Sequence, residues 1–479
     1  MLFNSLAFAI FFPLVVVLYY SLPQPRRLAL LLLASCAFYM AFIPAYILIL
    51  FVTITIDYIA GIYLERSTGP ARRIWLVGSI VSTCAVLFVF KYFDFFTGNF
   101  VALAGLIGWH LSPVVAHIIL PIGLSFHTFQ SLSYVVEVYR GKQRAEPGFM
   151  TYATYVMFFP QLVAGPIERP QNLLHQFSEK HEFDHARITA GLKRMAWGFF
   201  KKLVVADRLA LYVNDVYAAP RNFSGLQLTL ATLFFAYQIY CDFSGYTDIA
   251  LGAAQVLGFK LMENFRTPYY SLSIGEFWHR WHISLSTWFR DYVYIPLGGS
   301  RSGLRRWLLA VMITFTISGL WHGANWTYVV WGALNGVYLL LGVATKNIRD
   351  RMFAAIGLPV GSLPRRAIML ATTFGLTCAA WVVFRAKNLT DASYVLTHFA
   401  SGWNLHQIGT EQFLLRQMPI ALAAILVLEV GQLWPGKFPV PSIVGRLPLA
   451  PRWALYASFV MAVLMFGVYR NTQFIYFQF

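Results

Sequence analysis

The chain is short of charge: Asp, Glu, Lys and Arg make up 12% of its 479 residues, where a water-soluble domain carries about 25%. That shortage excludes an ordinary soluble fold. Cysteine is scarce too. Cys36, Cys84, Cys241 and Cys378 stand singly in apolar segments with no CxxC pairing, which implies neither a disulfide framework nor a zinc knuckle. Acidic residues number 20 against 37 Lys+Arg, giving a formal net charge of +17. A charge of that sign could suggest nucleic acid. The cations, however, sit in short loops between apolar runs, which is the pattern of cytoplasmic loops in a membrane protein, and nucleic acid is set aside. Also missing are a GxSxG nucleophile elbow, a phosphate-binding loop and a dinucleotide fingerprint.

What is present is hydrophobic length. Hydrophobic residues make up 58% of the chain, and apolar runs of roughly 20 residues recur along it, about ten or eleven candidate spans, each of which must be helical in lipid. MLFNSLAFAIFFPLVVVLYYSLP lacks the positive n-region and cleavage site of a secretory signal and is expected to stay on as the first span. Arg26 and Arg27, then Arg66, Arg72 and Arg73, then Arg140, Lys142 and Arg144 follow successive spans. If these loops are cytoplasmic, the N-terminus lies outside, and the connections near Pro44 and at residues 98–113 face out.

Three zones differ in texture. Residues 1–140 and 365–479 read as clean spans, the latter closing in the aromatic tail NTQFIYFQF. Between 150 and 345 the runs are broken by Pro, Gly, His and charge at membrane depth, which is tolerated where polar groups face protein or a wet cavity. That zone is the expected catalytic core. With no internal repeat and no low-complexity linker, residues 1–479 form one membrane-embedded domain, and the inverted repeat of many transporters is not visible.

Several stretches of the middle zone hold candidate chemistry. FPQLVAGPIERP (159–170) has three prolines and reads as a loop or re-entrant turn ending in Glu168 and Arg169. Arg187, Arg194, Lys201 and Arg208 recur every seven residues, predicting a cationic helical stripe at the cytoplasmic interface that faces anionic headgroups or an anionic donor. In YCDFSGYTDIALG, Asp242, Thr247 and Asp248 stand at the expected head of an apolar helix with Ser244 as its cap, or else line a polar cavity. Glu276, His279 and His282, three residues apart, would share a broad helix face. They form a metal-ligand set, or else Glu276 joins Arg280, Arg290 and Asp291 in an internal ion-pair network packed by Trp278, Trp281 and Trp288. Arg301, Arg305 and Arg306 in PLGGSRSGLRR read as a cytoplasmic anchor or as a phosphate contact. SGLWHGANW places His322 in a buried span, where an ionisable group is a functional candidate and imidazole is suited to take a proton. Gly319 and Gly323 would leave room for a substrate, and Asn325 could hydrogen-bond nearby. A lone base in such a place suits acyl transfer from a thioester to a hydroxyl.

FFPQLVAGPIERP, YCDFSGYTDIALG, ENFRTPYYSLSIGEFWHRWHISLSTWFRDYVYIPLGGSR and GLWHGANWTYVVWGALNG together resemble the signature blocks of the membrane-bound O-acyltransferases. The likeness is to a bacterial branch that includes the alginate O-acetylation membrane protein and the D-alanyl transfer protein of teichoic acids. The resemblance implies an all-α polytopic membrane protein: a ring of helices around a central catalytic tunnel, with re-entrant and interfacial amphipathic helices. Its membrane histidine falls on His322 and its second polar position on His282, with Asp242, Glu276, Arg280 and Asn325 as cavity-lining candidates. It implies acetyl-CoA as donor substrate with no bound cofactor or metal, and its phosphates near Arg301, Arg305 and Arg306. It further implies periplasmic esterase-like partner proteins, an exopolysaccharide acceptor and a home in the bacterial inner membrane. D-alanyl transfer, or transport without covalent chemistry, are the alternatives.

Overall fold

The computed structural model describes residues 1–112, 121, 123–163, 165–403, 412–433, 447–469, 474 and 475. Among them the regular structure is helical, with no strand. Most of the aromatic tail at 471–479 lies outside the described residues, as do 113–120 and Ala164. The chain divides into two compact units, Met1–Met195 with Tyr246–Met262, and Ala196–Gly245 with Glu263–Phe479.

The longer helices of the first unit include α1 (Leu6–Ser21), α2 (Gln24–Met40), α3 (Tyr46–Arg66), α4 (Gly69–Leu87), α5 (Phe93–Leu106), α6 (Leu124–Tyr139) and most of α7 (His185–Phe199). Ser5 caps α1 by accepting from Phe8 N at 3.3 Å, while Pro70 opens α4, where a missing N–H costs nothing. The apolar pattern continues without pause through a π-type turn at Phe88–Tyr92, so α4 and α5 run on as one 38-residue stretch, Gly69–Leu106. The outer connection expected at 98–113 is therefore helical as far as Leu106. Arg72 donates to the carbonyls of Val138 and Tyr139 at 3.1 and 2.7 Å, which sets the first turn of α4 beside the C-terminal end of α6.

The second unit holds α8 (Asp207–Ala218), the first part of α9 (Gly225–Leu257), α10 (Ile274–Arg280), α11 (Ile283–Phe289), α12 (Leu304–His322), α13 (Trp326–Ala344), α14 (Leu363–Arg385), α15 (Met418–Leu433) and α16 (Leu449–Phe466). Side-chain caps mark where helices begin: Ser273 for α10 accepts from Glu276 N at 3.1 Å, and Asn325 for α13 accepts from Thr327 N at 3.0 Å.

Among the described residues, five helices are long and apolar enough to cross a membrane: Tyr46–Arg66, Gly69–Leu106, Trp326–Ala344, Leu363–Arg385 and Leu449–Phe466, with Leu6–Ser21 and Met418–Gln432 as shorter apolar helices. They display large apolar side chains outward, Leu48, Ile74, Leu341 and Met465 among them. The count is below the ten or so runs read from the sequence, partly because other helices bury polar residues in place of a continuous apolar surface. In α6, for example, Ser125, His127, Thr128, Gln130, Ser131 and Ser133 are all buried. The zone read as clean spans also holds a buried carboxylate: Asp57 of α3 accepts from Ser79 and Thr83 of α4 at 2.6 and 3.1 Å, which satisfies a charge that lipid would not.

Candidate active site

His322 ends α12 and is 4% exposed. The helix stops there because Gly323 turns extended and Asn325 starts the next one. Its imidazole is enclosed by rings from three helices: Trp321 at 4.9 Å between centroids, Trp331 of α13 at 5.1 Å and Phe384 of α14 at 5.4 Å, the last two nearly edge-on at 88° and 78°. The surroundings of the imidazole are thus buried and aromatic.

The glycines do a different job from the one expected. A Cβ on Gly319 would come within 2.2 Å of the Tyr328 carbonyl oxygen and 3.0 Å of Gly332 Cα, and one on Gly323 within 2.2 Å of the Tyr328 ring. They let α12 and α13 pack backbone to backbone, so the space beside them is filled by protein and not left for a substrate. Asn325 likewise caps α13, and its Nδ2 donates to the Lys387 carbonyl at 3.2 Å.

His282 is 1% exposed and sits between α10 and α11, with φ 42° and ψ 55°. The helix expected to carry Glu276, His279 and His282 on one face breaks at Trp281–His282, and the three do not share a face. Glu276 instead pairs with Arg280 at 2.5 Å, both about one-third exposed, and His279 Nδ1 meets the Gly275 carbonyl oxygen at 2.6 Å. Arg290 pairs with its neighbour Asp291 at 2.8 Å. The imidazole of His282 lies edge-on to Phe243 at 4.5 Å and 6.4 Å from Trp321. Both histidines thus flank Trp321. Burial among these rings pushes the His282 imidazole down to about 3, so it is held neutral. Asn264, which sequence reasoning passes over, faces its Nδ1 at 3.3 Å.

Asp242 lies mid-way along α9, not at its head, so neither the helix dipole nor a Ser244 cap applies there. The apolar pattern of GLQLTLATLFFAYQIY extends the helix upstream through it. The partner of Asp242 is Lys202, from the π-type turn Phe200–Ala206, whose Nζ reaches Asp242 Oδ1 at 2.5 Å and Asp207 Oδ1 at 2.8 Å. Ile475 N donates to the second Asp242 oxygen at 2.7 Å.

The cationic stripe does not face headgroups. Lys201 is buried beneath the Tyr240 ring at 5.7 Å, and Arg208 is buried against Gln417 and the Phe466 carbonyl. In the first unit Arg194 pairs with Asp248 at 3.0 Å, and Arg187 reaches Tyr20 at 2.9 Å. Each cation is thus spent on an internal partner. The wider π-type turn also breaks the 3.6-residue register on which the stripe depended.

In FPQLVAGPIERP, Phe159–Leu162 form a short buried helix and residues 165–168 are buried without regular structure, both in the first unit. Gln161 donates to the Tyr155 carbonyl at 2.8 Å, Tyr155 to the Glu168 carbonyl at 2.9 Å, and the Glu168 carboxylate accepts from Met262 N at 2.5 Å. One string missed in the sequence, HEFDH at 181–185, has the spacing of a zinc-protease helix. That helix is absent here: α7 begins only at His185, and His181 Nε2 is engaged with the Gln176 carbonyl at 2.8 Å.

Arg301, Arg305 and Arg306 are exposed at the start of α12, with Arg306 Nε donating to the Leu297 carbonyl at 2.9 Å. Arg305 and His322 are separated by about 25 Å of helix at 1.5 Å per residue.

A profile of the membrane-bound O-acyltransferase family matches residues 79–381. The chain is 36% identical over its whole length to the whole of the "Probable alginate O-acetylase AlgI" of Pseudomonas putida. To the peptidoglycan O-acetyltransferase of Helicobacter pylori it is 33% identical over 76% of this chain and 72% of that one. To the teichoic acid D-alanyltransferase of Bacillus subtilis it is 27% identical over 46% of this chain and 58% of that one.

Proposed function

Since the chain belongs to the membrane-bound O-acyltransferase family and is a multi-pass membrane acyltransferase, we propose that it moves acetyl groups from cytoplasmic acetyl-CoA to hydroxyls of a secreted polysaccharide such as alginate, with His322 as general base. The observation that carries this reading is the enclosure of His322 by Trp321, Trp331 and Phe384, with His282 on another side of Trp321. An imidazole walled by rings can take a proton while water, the competing acyl acceptor, is kept away.

In the proposed step His322 removes the hydroxyl proton as the oxygen attacks the thioester carbonyl. The new C–O bond forms, the C–S bond breaks, and the proton passes to the departing thiolate of CoA. His282 acts as a second base or orients the acceptor, while Arg301, Arg305 and Arg306 meet the CoA phosphates on the cytoplasmic side. Asp242, Glu276, Arg280 and Asn325 shape the surrounding site through the pairs and caps described above. We place these elements in a ring of about ten or eleven helices around a central tunnel, in the inner membrane with the N-terminus periplasmic. Periplasmic esterase-like proteins are the proposed partners for delivery to the polymer. The similarity to a teichoic acid D-alanyltransferase supports D-alanyl transfer as a second reading.

Membrane vesicles containing the protein, given acetyl-CoA labelled in the acetyl carbon together with the polymer and partner proteins, separate the two. Label entering base-labile ester on the polymer is the expected result. Label that stays on CoA, while a D-alanyl thioester carrier is consumed, contradicts the acetyl reading.

A further inference from the structure

Asn264 is fully buried, at 0% exposure, and three contacts tie it to the turn that carries His282. Its backbone oxygen accepts from Ile283 N at 2.9 Å. Its Oδ1 accepts from Ser284 N at 3.1 Å, and the same atom lies 3.3 Å from His282 Nδ1. A backbone N–H can only donate, so the atom facing Ser284 is the amide oxygen, and the usual ambiguity between the two ends of an Asn side chain is removed. An oxygen acceptor in turn fixes the imidazole: Nδ1 carries the hydrogen and Nε2 keeps its lone pair.

The backbone supports the same conclusion. A φ of 42° at a histidine is rare and is kept only where its surroundings over-determine it. The rings of Phe243 and Trp321 wall the imidazole, and an apolar wall does not choose between the two nitrogens. Asn264 supplies an acceptor at one of them, Nδ1, and it also ties down the two residues that follow His282.

We propose that Asn264 is a positioning residue that holds His282 as the Nδ1–H tautomer and presents Nε2 as the nitrogen facing the acceptor hydroxyl. This rests on the reading that His282 serves the transfer. The test begins with the full-length protein labelled with ¹⁵N-histidine in detergent micelles at neutral pH, with the His282 signals assigned by their loss in His282→Asn. The expected result is a proton-bearing Nδ1 and a pyridine-like Nε2. Asn264→Leu should shift the population toward Nε2–H and lower kcat by roughly 10- to 100-fold, as loss of an orienting partner does, with KM nearly unchanged. Asn264→Asp, which keeps the acceptor oxygen, should retain the tautomer and restore part of kcat. A proton on Nε2 of wild-type His282 overturns the proposal whatever the activity, because the spectrum does not depend on turnover. The expected tautomer in a protein that transfers no acyl group upholds the Asn264 assignment and contradicts the proposed function instead.

Discussion

Lys202 donates to Asp242 across 2.5 Å, with both side chains sealed from solvent. The ammonium also holds Asp207 at 2.8 Å, so one cation ties a π-type turn to the middle of α9. Removing one member of such a buried group leaves an uncompensated charge. Lys202→Met is expected to destabilise the fold by about 3–5 kcal/mol, read as a large fall in melting temperature in detergent. Lys202→Met combined with Asp207→Asn and Asp242→Asn should recover much of that loss.

Gly319 and Gly332 let α12 and α13 touch through their backbones, with a Cβ on Gly332 lying 2.3 Å from the Phe315 carbonyl oxygen. Gly319→Ala is expected to cost about 1–3 kcal/mol through overpacking, and to lower activity by displacing His322 three residues on. Gly342→Ala, further along α13 with open space around it, serves as the control and should leave melting temperature and turnover unchanged.

His282 lies outside the five helices that, among the described residues, are long and apolar enough to cross a membrane, and its burial gives a pH dependence whose sign is fixed. The unfolded chain takes a proton there below about pH 6.5, while the folded imidazole, held down at about 3, does not. The stability is thus complete above pH 6.5 and is lost as pH falls, by about 1.4 kcal/mol per unit. Melting temperature should drop more steeply between about pH 6.5 and 5 in the wild type than in His282→Asn.

Arg301, Arg305 and Arg306 are exposed, so their replacement should spare the fold. If they meet the donor phosphates, the triple alanine variant raises KM for acetyl-CoA about tenfold or more with kcat little changed, the pattern of lost uniform binding. Steady-state kinetics in vesicles reads both constants.

The helical, membrane-embedded class was legible because apolar length and basic loops leave few alternatives, and the family because four ordered blocks recur. Residue roles were less so. Arg187, Arg194, Lys201 and Arg208 gave a regular seven-residue pattern, yet their partners Tyr20, Asp248, Tyr240 and Gln417 are distant in sequence, and nothing local announces a buried cation. Asp242 reads as a helix head because carboxylates and a nearby Ser244 suit a first turn, whereas the apolar run upstream of it carries the helix straight through. His282 was drawn onto a helix face because its left-handed backbone is set by the contacts from Asn264, eighteen residues earlier, and not by its own neighbours.

In the proposed function His322 serves as general base for the transfer. Its most direct test is the O-acetyl content of the secreted polymer from cells in which the native protein is replaced by His322→Ala, with membrane abundance of the variant measured alongside. The ester is expected to disappear while the variant reaches the membrane at wild-type level. Wild-type acetylation by that variant would contradict it.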